Sequence, residues 1–223
     1  MQSPMLDVRH FRLKKLITPQ YSHLLWLLFW PTFMVVFTLL ERFYHPSVWH
    51  PMECAWDAAI PFCEWFVFPY LFWFLYVGGM IAFTAFYDPP AMRKLMRYIT
   101  VTYAIALLVY FLYPNCQQLR PAEFLRENLL TAFMARFYRF DTNTNVCPSL
   151  HVIGSVAVLV SAWDQPRFRA LPWRIAFLAV TALICASTVF LKQHSLVDVL
   201  AALPVCALAI PLCYRKKAIK NPA

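Results

Sequence analysis

Residues 173–214 read WRIAFLAVTALICASTVFLKQHSLVDVLAALPVCALAIPLCY, and this stretch decides the fold. Two apolar runs, 173–191 and 195–214, are separated only by Lys192, Gln193 and His194. Each is close to the ~20 residues that a helix needs to cross the hydrocarbon of a bilayer. Working outward, the same test finds spans at 24–40, 60–87, 98–113 and 148–163. The second contains Glu64 and Pro69 near its start and ends at Asp88, Pro89 and Pro90. The third stops at Pro114. The first follows a basic flank from Arg9 to Lys15, but its apolar run is too long for a signal peptide and no small-residue cleavage site follows, so it reads as an uncleaved helix. The expectation is an all-α integral membrane bundle of six transmembrane helices in a single domain over residues 1–223.

The composition agrees. Of 223 residues, 61% are hydrophobic, 17% aromatic and only 14% charged, with three glycines. Soluble domains carry nearer ~25% charged residues. The formal charge of +9 does not point to nucleic acid, because the basic residues sit in short runs between apolar segments instead of forming one face. That is the positive-inside pattern. Arg9, Arg12, Lys14 and Lys15, the turn with Arg93, Lys94 and Arg97, the turn with Arg167, Arg169 and Arg174, and the tail with Arg215, Lys216, Lys217 and Lys220 fall on one side. Both termini are therefore expected in the cytoplasm, and the segments near 41–60, 114–147 and 192–195 outside. Without a cleavable targeting signal, a bacterial inner membrane fits better than an organelle. The seven scattered cysteines form no CxxC pair and read as packing residues. Cys116 and Cys147 flank one loop and are the pair an oxidising compartment would test.

That loop, 114–147, is long for a compact bundle, and long loops tend to be functional. Its middle, 121–140, reads as a helix with Pro121 in the first turn and an apolar stripe of Phe124, Leu125, Leu129, Phe133 and Phe137. An amphipathic helix on the membrane surface and a helix packed over the bundle mouth fit equally. The cluster Glu41, Arg42, His45, His50, Glu53, Asp57 and Glu64 reads as a solvated outer loop. His10 and His23 read as structural.

Ionisable groups at span ends need partners or work. Three stretches converge on the outer side: Arg120-Pro121, Pro148-Ser149-Leu150-His151, and Ser187-Thr188 followed by His194 and Asp198. His194 and Asp198, four apart, share a helix face. The carboxylate can hold one ring nitrogen and leave the other as nucleophile or base. His151 suits an opposing acid. Ser149 and the backbone N–H groups near His151 open a helix, where phosphate binds. Arg120 could clamp phosphate bidentately. A two-histidine, one-carboxylate metal site from His151, His194 and Asp198 is the chemical rival.

In order and spacing these stretches resemble the type-2 phosphatidic acid phosphatase superfamily, whose signatures are Lys-x6-Arg-Pro, Pro-Ser-Gly-His and Ser-Arg-x5-His-x3-Asp. The resemblance covers about residues 95–213 as the catalytic core. It implies a metal-free, cofactor-free enzyme with its active site on the outer membrane face. His194 would form a phosphohistidine, Asp198 would orient it, and His151 would protonate the departing alkoxide. Arg120, Ser149 and Ser187 would bind phosphoryl oxygens. A phospholipid or lipid phosphate would be the substrate, with no nucleic-acid partner.

The departures bear on substrate. Tyr113 stands at the signature lysine, Thr188 at the arginine and Leu150 at the glycine. A phosphate monoester carries ~1.5–2 negative charges at neutral pH and a diester about one, so a weaker cationic cage suits the diester, as in the lipid phosphotransferase branch that includes inositol phosphorylceramide synthases. Lys192, near His194, could restore one charge and with it the monoester. The sequence therefore supports a lipid phosphatase or a lipid headgroup phosphotransferase. A catalytically inactive lipid-binding protein of the same fold is the alternative. A transporter lacks support, since no pair of spans shows glycine-interrupted helices.

Overall fold

The computed structural model describes Leu6 and residues 11–214. Arg9, His10, Arg215, Lys216, Lys217 and Lys220, used in the sequence reading, lie outside the described residues. The chain forms eight α-helices among those residues: α1 (Phe29–Phe43), α2 (Ala55–Ala59), α3 (Val67–Tyr87), α4 (Pro89–Leu112), α5 (Leu129–Phe140), α6 (Leu150–Asp164), α7 (Leu171–Phe190) and α8 (Leu196–Tyr214). Turns of 3-10 helix over Ser22–Leu28 and Glu64–Phe66 lead into α1 and α3. Two short strands, β1 (His50–Pro51) and β2 (Asn115–Cys116), pair in parallel and tie the loop after α1 to the end of α4.

Five segments, Ser22–Phe43, Glu64–Tyr87, Pro89–Leu112, Leu171–Phe190 and Leu196–Tyr214, are long and apolar enough to cross a membrane. Helix α6 is apolar but shorter. It is the central helix, enclosed by α3, α4, α7 and α8. Ile153, Ala157 and Val158 from α6 are fully buried with Met92, Ile99 and Ile184. The outward faces are apolar too, with Phe74, Leu75, Leu108, Leu183 and Leu208 all exposed. An apolar core inside an apolar exterior is costly in water and suits a bilayer.

Two boundaries differ from the sequence reading. The third long helix begins at Pro89, not near residue 98. Asp88 caps it, its Oδ1 accepting from Ala91 N at 3.0 Å, and proline takes the first turn. Arg93, Lys94 and Arg97 therefore lie on α4, not in a turn. Lys94 pairs with Asp164 at the end of α6 at 2.7 Å, and Arg93 donates to Ser22 Oγ at 3.1 Å. The loop helix begins at Leu129, because Asn128 and Thr131 form a capping box. Residues 121–128 are not helical. Met134 of α5 is buried against Val67, Tyr70 and Leu191, so α5 packs over the bundle mouth, while Leu129 and Phe140 stay exposed. All seven cysteines are free, Cys116 and Cys147 included.

Candidate active site

The site lies where α6 begins and α7 turns into α8, at the end of the bundle opposite the Lys94–Asp164 pair. The turn is tight. The carbonyl of Thr188 accepts from both Gln193 N (2.9 Å) and His194 N (3.0 Å). Lys192 has φ 53°, the left-handed region that favours glycine. Its side chain explains a non-glycine residue there: Nζ donates to the carbonyls of Asp57 (2.7 Å) and Ile60 (2.5 Å). Burial lowers the Lys192 pKa, and Asp57 opposes that shift.

His194 Nδ1 lies 3.2 Å from Asp198 Oδ2, which also accepts from Ser195 N at 2.9 Å. An ionised carboxylate only accepts, so beside it a neutral imidazole carries its hydrogen on Nδ1 and leaves the Nε2 lone pair free. Asp198 is fully buried. Its backbone carbonyl accepts from Ser149 N at 3.2 Å, which joins the start of α6 to α8. Cys147 sits beside the carboxylate, and burial, with the Asp198 charge, pushes its thiol up to about 12.

His151, on the first turn of α6, faces His194 with ring centroids 5.9 Å apart. Tyr70 stacks on His151 at 4.3 Å. His151 Nε2 is buried and has no partner. The first turn of α6 is gripped by aromatic side chains: Trp73 Nε1 donates to the His151 carbonyl (3.0 Å) and Tyr110 Oη to that of Pro148 (2.7 Å).

Most of the remaining sequence candidates bond elsewhere. Arg120 NH1 donates to the carbonyls of Tyr138 (3.0 Å) and Asp141 (2.7 Å), and NH2 to Thr142 O (2.8 Å) and Gln193 Oε1 (2.7 Å). All four terminal hydrogens are thus used in binding the 138–142 segment to the hinge, and only the buried Nε is without a partner. Burial lowers the Arg120 pKa, against the pull of Asp141. Ser187 Oγ bonds back to Ile184 O at 2.6 Å and Thr188 Oγ1 to Cys185 O at 2.8 Å, a common helical arrangement. Ser149 is buried and its Oγ has no partner. The structure thus brings together His194, Asp198, His151 and the backbone of Ser149. It turns Lys192, Ser187 and the terminal donors of Arg120 to other partners.

A cavity of about 500 Å³ adjoins the two histidines. Its long wall is apolar, from Phe33 and Phe37 on α1, Trp73 and Val77 on α3 and Tyr103 on α4. Its polar end holds His151, His194, Gln193, Asn145, Glu41 and Asp141. Burial raises the Asp141 carboxyl above its usual range, and Arg120 pulls it back in part.

Sequence reasoning missed several of these groups. The loop between α1 and α3 is only partly solvated: Arg42, His45 and Glu53 are exposed, but Asp57 and Glu64 are buried. Asp57 Oδ1 accepts from Leu196 N at 2.8 Å, which satisfies the start of α8. Glu64 accepts from Asn128 Nδ2 at 3.1 Å. Glu41 accepts from Thr142 and Thr144 at 2.6 and 2.7 Å. Asn115 Oδ1 accepts from Val146 N and Cys147 N, both at 2.8 Å, and Gln117 Nε2 donates to Lys192 O at 2.9 Å. Asn and Gln carry no charge, so no run of charge marks them. Only their place beside span ends was a signal. Among the described residues, no group of three or more His, Cys, Asp or Glu is arranged to hold a metal ion. Compared with protein-family models, curated proteins and solved structures, the chain has no match.

Proposed function

We propose that this chain is a membrane enzyme that cleaves or transfers a lipid phosphate ester through a phosphohistidine on His194. The observation that carries the reading is the His194–Asp198 pair beside His151, whose Nε2 has no partner, at the polar end of an apolar cavity. A catalytic histidine needs an oriented ring and a partner for the leaving group. A lipid needs an apolar wall next to a polar centre.

In this mechanism the Nε2 lone pair of His194 forms a bond to phosphorus as the phosphorus–oxygen ester bond breaks. The electron pair leaves on the ester oxygen, which takes a proton from His151. Asp198 stabilises the positive charge that grows on the His194 ring. Water or a lipid alcohol then attacks phosphorus, gives its proton to His151 and releases His194. Water makes the enzyme a phosphatase, and a lipid alcohol makes it a headgroup phosphotransferase. These are the roles that the resemblance to the type-2 phosphatidic acid phosphatase superfamily implies.

In the same proposal α6 is the sixth span and the basic end of the bundle, with Arg93, Lys94, Arg97, Arg167, Arg169 and Arg174, faces the cytoplasm of a bacterial cell. The histidine pair then faces outward. The rule that positive charge stays inside supports this orientation.

The second reading is a lipid-binding protein without turnover. It is favoured by Arg120 and Lys192, which spend their donors on backbone carbonyls. The deciding experiment offers fluorescent phosphatidic acid and a fluorescent phosphodiester lipid to detergent-purified protein, with His194→Ala as control. Product from the wild type alone supports the enzyme. Folded wild type that binds both lipids and converts neither supports the binder.

A further inference from the structure

Among the described residues, no lysine or arginine lines the cavity, whereas two carboxylates, Glu41 and Asp141, do. A phosphate dianion meets no lysine or arginine among them. The cavity does hold an amide with one bare group. Gln193 is 2% exposed, and its Oε1 accepts from Arg120 NH2 at 2.7 Å. A guanidinium has donors only, so the group facing it must be the amide oxygen. The amide nitrogen is left on the other side, buried and without a partner. Folded proteins leave few buried donors bare, because each costs its desolvation. Gln193 precedes His194 in the chain, and both line the cavity.

We propose that Gln193 Nε2 donates a hydrogen bond to a non-bridging phosphoryl oxygen of the substrate, held in that orientation by Arg120. The proposal rests on the reading of His194 as nucleophile. Arg120 then acts on the phosphate through Gln193, not by contact, and its charge polarises the amide through Oε1. A neutral donor matches the single charge of a phosphodiester better than the ~1.5–2 charges of a monoester. Substrate choice therefore falls on phosphodiester lipids. Lys192, on the same hinge, does not restore the monoester, because its ammonium is bound to Asp57 and Ile60.

The test compares fluorescent phosphatidic acid with fluorescent phosphatidylmethanol, a diester that differs by one methyl group. Full-length protein in detergent is used, as wild type, Gln193→Glu and Gln193→Met. The Glu variant keeps an acceptor for Arg120 and deletes the donor, at the cost of an added negative charge. The Met variant deletes the donor without adding charge. The wild type is expected to favour phosphatidylmethanol in kcat/KM by about 10-fold or more. Both variants should lose about 10- to 100-fold on phosphatidylmethanol, the loss of one hydrogen bond to a charged oxygen. If Gln193 serves only to satisfy Arg120, the Glu variant will match the wild type, and that result overturns the proposal. So does a wild type that prefers phosphatidic acid.

Binding separates this proposal from the reading beneath it. Trp30 and Trp73 line the cavity, so quenching by phosphatidylmethanol with brominated chains reports occupancy without turnover. Binding that weakens in both variants, with no turnover in any protein, supports the Gln193 contact and sinks the phosphohistidine. Turnover that needs His194, with binding and rate indifferent to both Gln193 substitutions, does the reverse.

Discussion

Trp73 holds His151 twice: its Nε1 donates to the His151 carbonyl at 3.0 Å, and its ring lies 4.6 Å from the imidazole. The approach depends on Gly154, one turn further along α6. A Cβ built there would lie 2.8 Å from Trp73 Cζ2 and 3.0 Å from the Tyr103 hydroxyl. Gly154→Ala must therefore displace the indole or the helix. We expect a loss of about 1–3 kcal/mol of stability and a fall in turnover larger than Trp73→Phe causes. Thermal unfolding in detergent and initial rates on the preferred lipid check both. An alanine variant as active and stable as the wild type would show that this packing does not position His151.

Asp198→Asn should leave the hinge intact, since an amide oxygen can still accept from Ser195 N. The negative charge beside His194 is lost, and with it the stabilisation of the imidazolium that attack creates. Turnover should fall by at least about 100-fold with the unfolding transition unchanged. Equal rates for variant and wild type would remove Asp198 from the mechanism.

Arg120 places four donors on four acceptors from its planar guanidinium. Lysine has three donors on a point charge and cannot reproduce that fork. Arg120→Lys should lower stability by about 1–3 kcal/mol, because buried carbonyls lose partners. The midpoint of thermal unfolding reads this directly. An unshifted midpoint would argue that Arg120 is free to act elsewhere.

Gly78 and Gly79 are neighbours on α3, and a Cβ at either meets nothing within 4 Å. Gly78 lines the cavity, whereas Gly79 is not among its lining residues. Gly78→Leu should fill the apolar wall and reduce kcat/KM for long-chain lipids by about 10-fold, with little effect on short-chain analogues. Gly79→Leu should behave as wild type. Matched effects at both positions would show that the apolar wall does not carry the lipid chain.

Burial raises the Asp141 carboxyl above its unfolded value. A raised pKa means that the folded state holds the proton more tightly. Its contribution to stability is complete below the ordinary carboxylate range and is lost as pH rises through the folded value. Asp141→Asn removes this loss, so the variant should gain on the wild type in thermal stability between about pH 4 and neutrality. The two curves running parallel with pH would contradict the shift.

Much of this architecture was legible because its signals are local. An apolar run of span length is recognised without reference to any other part of the chain. His194 and Asp198 do pair at a spacing of four, but not on one helix face: His194 lies in the hinge before α8, and the Asp198 carboxylate reaches back to it and to Ser195 N. The start of α4 was misread because Arg93, Lys94 and Arg97 suggested a turn. Asp88 and Pro89 instead cap a helix whose first charged residues reach Ser22 and Asp164 at its end. The start of α5 was misread because Pro121 competed with the Asn128 and Thr131 cap.

The sequence by itself determined that the chain is built of apolar helices of membrane-crossing length, and that His151, His194 and Asp198 fall at helix ends. Only the tertiary structure decided what the polar side chains between them do. Arg120 and Lys192 looked like ligands for phosphate, but each bonds carbonyls from distant segments. Gln193 carried no signal in the sequence, but it lines the cavity and its amide nitrogen is buried without a partner. Helix length and spacing are properties of a contiguous stretch. A side chain's partner depends on which backbone groups the packing leaves within about 3 Å, and packing joins residues far apart in the chain.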